Sequence, residues 1–312
     1  MMNNRVLSTK YIFLFLFIMS FLIPSCKNEN KSDLGQYEAW NSGEIEIFFD
    51  NQNTNLLDSV FKMYIKAFPN VKPKFTPVSS REGMRLLLNG KARIVLQSRD
   101  FLKDEDSLIK FYNITFPEPY PFAEDALVFF TQIDSPIDTL NSTKIEDYFA
   151  DLTTKSIDKI GVLQDPTIVI CEPNSSVFAN FQKMVLKGQP LRRKYKFFVT
   201  PDSVKDFVAN NPNTIGIGYL SQIIGDLRFK PLKIGFEDST GKHIKPKSVH
   251  QAYIVQSLYP YIVKHRAYLL DDRKNLALWF ASFISKESYV QRYFKDFGLV
   301  PTHAKIVLIK ED

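Results

Sequence analysis

The chain has 312 residues, of which 45% are hydrophobic and 24% are charged, and its formal net charge is +6. This balance is ordinary for a globular protein and excludes an intrinsically disordered chain. The excess positive charge is small and scattered, whereas a nucleic-acid-binding protein needs a clustered basic face, so we expect no nucleic-acid partner. The length allows two modest domains or one large one.

The N-terminus has the features of an export signal. Arg5 and Lys10 precede an apolar run over residues 11–23. That run is short for a membrane span, and a short apolar run after basic residues is typical of a secretory signal peptide. An uncleaved anchor helix is the alternative interpretation, and in both cases the body of the protein is exported.

The segment that follows the apolar run, Ile23-Pro24-Ser25-Cys26, resembles a bacterial lipobox. The resemblance implies cleavage before Cys26 and acylation of its thiol. We therefore predict a lipoprotein signal peptide at residues 1–25 and a lipid-anchored flexible tether at residues 26–43, where the sequence is polar and aperiodic. The expected location is the cell envelope, on the periplasmic or extracytoplasmic face of a membrane.

With Cys26 acylated, Cys171 is the only other cysteine in the sequence. No intramolecular disulfide and no Cys-rich metal site can then form. Cys171 ends an apolar run, which indicates a buried structural thiol, with catalytic use as the alternative.

The body of the chain alternates short apolar runs with amphipathic segments, which predicts an α/β fold. Leu57, Val60 and Tyr64 recur at helical spacing, and Ser79 and Glu82 have the spacing of a capping box. The predicted elements of this part are strands at 45–49, 71–78 and 93–97, alternating with helices at 57–68 and 79–88.

Three prolines within residues 117–121 predict an extended segment before a strongly apolar strand at 125–131. We place the first passage between two lobes here, which predicts lobe one at 44–118 and 225–312 and lobe two at 119–224. The further predicted elements are helices at 142–150, 178–185 and 201–209, strands at 167–171, 196–199 and 215–220, and closing segments at 253–258 and 276–297.

Several segments, in this order, match one family. Residues 79–102 contain a Ser-rich turn, a helix that ends at a glycine, a strand and then Ser-Arg. Residues 214–219 read TIGIGY, residues 259–262 read YPYI, and residues 298–301 read GLVP. Together they resemble the phosphate-binding component of ABC transporters, within the periplasmic solute-binding superfamily.

The resemblance implies an α/β fold of the periplasmic-binding-protein type, a two-lobed clamshell in which each lobe is a sheet flanked by helices and crossing strands join the lobes. Such lobes close on a small oxyanion such as phosphate, held by backbone N–H groups, hydroxyls and an arginine. The implied partner is a membrane transporter permease. The ligand-binding residues implied, loop by loop, are Asn53 and Thr54, Ser79 and Ser80, Ser98 and Arg99, and Ser175 and Ser176.

The fourth of these loops departs from the family pattern, because Cys171, Pro173 and Val177 stand where the family has Arg, Asp and Thr. Glu82, in the first turn of a helix that should face the anion, would repel phosphate by about a kcal/mol or more if it pointed inward. These departures favour the alternative of an accessory or interaction lipoprotein that keeps the fold and has lost phosphate binding.

Each candidate residue also has an ordinary structural interpretation. Ser79 and the pair Ser175-Ser176 fit helix caps, and Arg99 fits a surface salt bridge to Asp100, Asp104 or Glu105. The four histidines have no metal-ligand spacing, and no nucleophile elbow, P-loop or dinucleotide motif occurs. We expect no enzyme, no cofactor and no metal; a cell-surface hydrolase ranks last among the alternatives.

Overall fold

The computed structural model describes residues 38–150 and 159–303. The predicted signal peptide, Cys26 and most of the predicted tether lie outside these residues.

Strands and helices alternate along the described chain. The strands are β1 (Ser42–Asp50), β2 (Asn70–Val78), β3 (Ile94–Gln97), β4 (Tyr120–Gln132), β5 (Thr139–Asn141), β6 (Lys159–Ile160), β7 (Leu163–Gln164), β8 (Thr167–Cys171), β9 (Tyr195–Phe198), β10 (Thr214–Tyr219), β11 (Phe229–Pro231), β12 (Lys233–Glu237), β13 (His243–Lys247), β14 (Ile262–Leu269) and β15 (Val300–Pro301). The helices are α1 (Thr54–Ala67), α2 (Ser80–Leu88), α3 (Lys103–Phe111), α4 (Ser142–Ala150), α5 (Ser176–Asn180), α6 (Pro201–Asn210), α7 (Leu220–Ile223), α8 (Gln251–Val255), α9 (Leu276–Lys286) and α10 (Ser288–Phe297). A 3-10 turn at Asn51–Asn53 joins β1 to α1, and a π turn at Phe181–Val185 continues α5.

The first lobe is a sheet with helices on both faces. β1 pairs in parallel with β2 and β3, and β14 pairs antiparallel with β3 and β4. One face buries the apolar stripe of α1, including Leu57 and Val60, with Phe280 of α9. The other face buries Met84 of α2 with Val95 of β3. This two-sided burial is why the central strand β3 is buried at every position and the helices are amphipathic, whereas the edge strand β2 keeps exposed lysines.

Strand β4 crosses between the lobes. Residues 120–126 of this strand pair with β14, and residues 127–130 pair with β10. β10 in turn pairs with β8, and β8 with β9. One long strand therefore belongs to the sheets of both lobes, as the proline segment and the apolar run behind it predicted.

The second lobe has its own core, to which Phe129, Phe181 and Ile217 belong. Leu232 and Ile234 pack in the same core, because β12 pairs with β5 of the second lobe. The chain rejoins the first sheet at β14, which pairs with β3 and β4. The predicted lobe boundaries, including the return at residue 225, stay predictions.

The predicted α/β fold with two lobes and a crossing strand is confirmed. The predicted segment 276–297 forms two helices, α9 and α10, and part of the segment 253–258 lies in the short helix α8. Among the described residues, no helix combines the length and apolar character that crossing a bilayer requires.

Candidate functional site

Polar side chains from both lobes meet in a buried cluster at the carboxyl ends of β1, β3, β8 and β10. This is the edge at which loops of parallel sheets gather ligands. The members, which we call the polar cluster, are Asp50, Gln52, Asn53, Ser80, Gln97, Ser98, Arg99, Asp125, Ser175, Ser176, Asn180, Tyr219, Ser221 and His265, and all of them are buried.

Ser98 contacts three other members of the polar cluster. Its hydroxyl accepts a hydrogen bond from Asn53 Nδ2 at 2.5 Å and lies 2.9 Å from His265 Nδ1. Its backbone oxygen accepts a hydrogen bond from Asn180 Nδ2 at 2.7 Å. Because Asn53 and His265 belong to the first lobe and Asn180 to the second, Ser98 links the lobes.

The second lobe contributes a chain of hydrogen bonds that starts at Asn180. Asn180 Nδ2 also donates to Tyr219 Oη at 2.9 Å, and Tyr219 Oη donates to Ser176 Oγ at 2.8 Å. Ser175 instead caps α5, because its Oγ accepts from Phe178 N at 3.1 Å. The two serines of the predicted fourth loop therefore have different roles: Ser175 caps α5, and the hydroxyl of Ser176 faces into the cluster.

Further bonds join the lobes around the cluster. Arg81 N, in the first turn of α2, donates to Asn174 O of the fourth loop at 3.1 Å. Gln222 Nε2 donates to Gln52 O at 3.0 Å. The first of these bonds brings the predicted second and fourth loops together, and the other joins α7 to the 3-10 turn after β1.

The guanidinium of Arg99 is fully used within the first lobe. Its Nε donates to Ser80 Oγ at 2.6 Å, and its terminal nitrogens donate to Glu105 at 2.7 and 2.9 Å, to Asp100 O at 2.8 Å and to Ser80 O at 3.3 Å. These five bonds use the five N–H hydrogens of an arginine. Arg99 therefore has no N–H left for an anion in this arrangement, and its predicted role as a clamp stays a prediction that requires its release from Glu105.

Asp50, the last residue of β1, is the charged group that the sequence analysis missed. It is 0% exposed, and its Oδ1 accepts from Gln52 N at 3.2 Å. Burial raises the pKa of the Asp50 carboxyl, and the Ser176 hydroxyl, the Gln52 backbone N–H and the nearby His265 and Arg99 oppose that rise. Its position directly after the predicted strand 45–49 was the available signal.

Two of the predicted residues lie at the edge of the cluster. Thr54 is exposed, and its hydroxyl donates to Asn51 O at 2.9 Å. Ser79 is half-buried and caps α2 by accepting from Glu82 N at 3.3 Å. Glu82 itself turns outward and pairs with Arg85, so it does not face the cluster. Ser80 is the inward-facing serine of that turn, and its Oγ donates to Gln97 Oε1 at 2.7 Å.

His265 on β14 and Asp125 on β4 place a hydrogen-bond relay on the crossing strands. His265 Nε2 lies 3.3 Å from Asp125 Oδ2, and both side chains are 0% exposed. The order Ser98, His265, Asp125 is that of a hydroxyl nucleophile with its base and a carboxylate. Ser98, however, is 1% exposed, and its hydroxyl already accepts a hydrogen bond from the Asn53 amide, so the relay is bonded within the cluster in this structure.

Two cavities flank the polar cluster at the boundary between the lobes. The larger, about 290 Å³, is lined by Gln52, Thr54 and Ser221 among others. The smaller, about 180 Å³, reaches Ser98 and Asn180 and is lined by three cationic side chains besides Arg99, namely Lys183, Lys264 and Arg266, with Asp100 as the acid. The smaller cavity is the more favourable one for an anion.

Among the described residues, no group of three or more His, Cys, Asp or Glu side chains could hold a metal ion. Cys171, at the end of β8, is buried, and burial raises the pKa of its thiol, with Asp50 and Glu172 adding to the rise. Such a thiol is inert at neutral pH.

Comparison with known proteins supports this geometry at the level of the fold. A family model described as a PBP superfamily domain matches residues 38–287. A phosphate-bound structure from Clostridium perfringens is 17% identical, with a TM-score of 0.64 over 83% of this chain and 100% of that chain. An ABC-type phosphate transport receptor from Vibrio cholerae is 16% identical, with a TM-score of 0.60 over 83% of this chain and 100% of that chain.

The fold is shared with regulators as well. The regulatory domain of CcmR from Synechocystis, in complex with 2-PG, is 10% identical, with a TM-score of 0.55 over 79% of this chain and 99% of that chain. No curated protein matches the sequence significantly. At these identities the structural likeness establishes the fold alone.

Proposed function

The chain belongs to the PBP superfamily, and from that premise we propose that it is a lipid-anchored, extracytoplasmic solute-binding protein that captures a small oxyanion for a membrane transporter. Phosphate is the first candidate. The structures from Clostridium perfringens and Vibrio cholerae with the same fold are transport binding proteins, so we propose a binding function and no catalysis.

The observation that carries this proposal is the convergence of Ser98, Asn180 and Ser176 from two lobes in one buried cluster. Separation of the lobes would break the bonds from Asn180 Nδ2 to Ser98 O and from Arg81 N to Asn174 O and so free these two donors, while the Ser176 hydroxyl stays beside them in the second lobe. Neutral donors of this kind bind an oxyanion without a counter-charge. A closing hinge would then bury the anion.

The charge around the smaller cavity favours an anion over a neutral solute. Lys183, Lys264 and Arg266 surround the opening that reaches Ser98. Positive side chains at the mouth of a cleft raise the local concentration of anions and their association rate.

Membrane attachment and the transporter partner complete the proposal. The lipobox-like segment that ends at Cys26 would hold the domain at the membrane, with the polar residues up to 43 as tether. The closed lobes would present one surface to a permease. The envelope face of the membrane is therefore the proposed location.

Calorimetric titration of purified residues 27–312 with phosphate tests the proposal. We expect saturable heat at submillimolar phosphate, and a loss of at least about tenfold in affinity for Ser176→Ala, because a buried donor to the anion is removed. Ser107→Ala, on the exposed face of α3, is the matched control and should bind as the natural protein does. No heat at millimolar phosphate would end the phosphate proposal.

Two observations favour a second candidate, an accessory or interaction lipoprotein without an anion site. Arg99 is wholly bonded to protein groups, and the fourth loop carries Cys171, Pro173 and Val177 in place of polar residues. Under this candidate the cluster would only fix the lobes together. The same titration separates the two, since the accessory protein gives no heat with either phosphate or sulfate.

A further inference from the structure

The segment that leads into β9 has a concentrated positive charge. Residues 173–201 contain six Lys or Arg side chains and no Asp or Glu. This short stretch therefore has a formal charge of +6, which equals the formal net charge of the whole chain. Much of the positive excess of the protein is thus local to one edge of the second lobe.

Exposure alternates along the chain just before β9 and at its start. Arg192, Lys194 and Lys196 are exposed, whereas the residues that alternate with them are half-buried. Of these, Leu191 and Tyr195 pack against the core of the second lobe. Every second side chain of an extended segment lies on the same side. The apolar side chains therefore hold the segment to the lobe, and the three cations face outward together.

These three cations are available to a partner. Among the described residues, the side chains of Arg192 and Lys194 have no hydrogen-bond or ion-pair partner. Lys196 Nζ lies 4.6 Å from the centre of an aromatic ring of α6, and the residue stays exposed. Lys183 and Lys187, in contrast, are each held in an ion pair. The charge that is free to bind something lies at the edge strand.

Two exposed apolar side chains lie beside the cations. Phe197 and Val199 are each 57% exposed. β9 is the last strand of its sheet, next to β8. Lysine on an edge strand discourages pairing with other chains, but exposed Phe and Val have the opposite effect, so protection of the edge does not explain the whole set. We call this set the basic edge; its members are Arg192, Lys194, Lys196, Phe197 and Val199.

We propose that the basic edge docks on an anionic lipid surface and so orients the domain on the membrane. Anionic headgroups attract Lys and Arg, and an exposed aromatic or aliphatic side chain between such cations enters the boundary between headgroups and acyl chains. The proposed lipid on Cys26 would keep the basic edge near such a surface, so the inference rests on that part of the proposed function.

A lipid surface fits the basic edge better than an acidic peptide added to β9 as a further strand. Arg192 and Lys194 precede β9, which begins at residue 195, so they lie outside the strand that a peptide would extend. A charged surface needs no strand register and reaches all three cations at once.

The test measures co-sedimentation of purified residues 27–312, which lack the predicted acylated cysteine, with lipid vesicles. We expect binding at low ionic strength to phosphatidylcholine vesicles that contain about one third phosphatidylglycerol, and none to pure phosphatidylcholine. One Lys or Arg at an anionic surface changes binding by about fivefold. The triple variant Arg192→Gln, Lys194→Gln and Lys196→Gln should therefore lower the partition coefficient on the order of a hundredfold. Phe197→Ser should lower it by about threefold to tenfold.

The matched control removes three exposed lysines of the first lobe, by Lys62→Gln, Lys66→Gln and Lys91→Gln. It lowers the net charge by the same amount and leaves the basic edge intact. Its partition coefficient should fall less than about threefold. All variants are compared with the natural protein in urea unfolding, so that only folded proteins enter the comparison.

Loss of vesicle binding in the basic-edge variant, with binding kept in the control, supports the proposal. An equal or greater loss in the control overturns it, because net charge alone would then explain the binding. No binding of the natural protein to anionic vesicles also overturns it, and a dimer that Phe197→Ser abolishes would then assign the edge to a second copy of the chain.

These results are independent of the proposed function. Vesicle binding of the unacylated chain needs neither phosphate nor the lipid on Cys26. Incorporation of labelled palmitate at Cys26 tests the attachment, and the phosphate titration tests the solute, so each proposal fails by its own measurement.

Discussion

Arg99 and Asp50 are two buried charges at the ends of neighbouring strands of one sheet, and the protein treats them in opposite ways. Arg99 follows β3 and forms five hydrogen bonds, two of them to the carboxylate of Glu105. Asp50 ends β1 and has one carboxylate oxygen without a partner among the described residues. The hydrogen-bonding groups of Arg99 are all used within its own lobe, whereas Asp50 is bonded only to Gln52 N of its own turn.

This difference indicates a structural role for Arg99 and a functional role for Asp50 within the same polar cluster. A buried charge with all of its partners is bound to its surroundings, and removing one partner is costly. A buried charge that lacks a partner destabilises the protein and persists where a function requires it. Of the two charges, Asp50 is therefore the better candidate for a group that responds to a solute.

The largest expected effect on stability comes from removing the fully bonded side chain of Arg99. Arg99→Ala leaves Glu105 buried with Arg81 as its remaining cation, and should lower the free energy of unfolding by about 3–5 kcal/mol. Urea denaturation measures this loss. Arg85→Ala removes an exposed pair with Glu82 and should change little. Normal stability of Arg99→Ala with loss of phosphate binding would restore Arg99 as the predicted anion clamp.

A smaller effect is expected where the second lobe contacts Ser98. Asn180→Ala leaves the Ser98 carbonyl and the Tyr219 hydroxyl without the amide, and should cost about 1–3 kcal/mol in the free energy of unfolding. Asn210→Ala, on the exposed end of α6, is the control for losing an asparagine. If both variants unfold at the same urea concentration as the natural protein, the link between the lobes contributes nothing to stability.

The buried carboxyl of Asp50 should make the free energy of unfolding depend on pH. The folded protein raises the pKa of Asp50, so it holds the proton more tightly than the unfolded chain does. The resulting stability is present below the ordinary pKa of 3.8 and is lost as pH rises through the raised value, by at most about 1.4 kcal/mol per pH unit. Asp50→Asn should lack this fall. Parallel curves of unfolding free energy against pH for the two proteins would show that Asp50 titrates normally.

The smallest effect is expected at the rim of the cleft. Lys183 Nζ lies 2.7 Å from Asp100 Oδ2 across the lobes, and both side chains are about half exposed or more. Exposed pairs of this kind contribute less than about 1 kcal/mol and are screened by salt. Lys183→Ala should therefore lower stability slightly at low ionic strength and not at 1 M salt. A salt-independent loss would indicate that Lys183 packs rather than pairs.

The sequence predicted the loops of the site better than the side chains that face into it. Periodicity and proline content located the strand ends, and the four loops that the family resemblance implied lie at those ends; their role in ligand binding stays a prediction. Which of two neighbouring residues in a loop faces the cluster depends on a shift of one position, which the sequence pattern does not fix. Ser79 became the cap of α2 and left Ser80 inward, and the 3-10 turn after β1 buried Asn53 while exposing Thr54.

Other parts of the cluster have no local signal. His265 meets Ser98 across 167 residues of chain, and Asn180 meets it across 82. Contacts of that range follow from the sheet order and the crossing strands, which sequence patterns do not encode. Glu105 was among the predicted partners of Arg99, but the burial of the pair was not predicted, because α3 covers it only in the folded lobe.

The distance between the lobes tests most directly the claim that two hinged halves enclose a solute. Spin labels at Asn89→Cys in the first lobe and Asn210→Cys in the second occupy exposed positions, and buried Cys171 should not react. In residues 27–312 we expect a broad distribution of label distances without phosphate and a single shorter distance at saturating phosphate. Identical distributions in both conditions, at phosphate concentrations up to millimolar, would contradict the account.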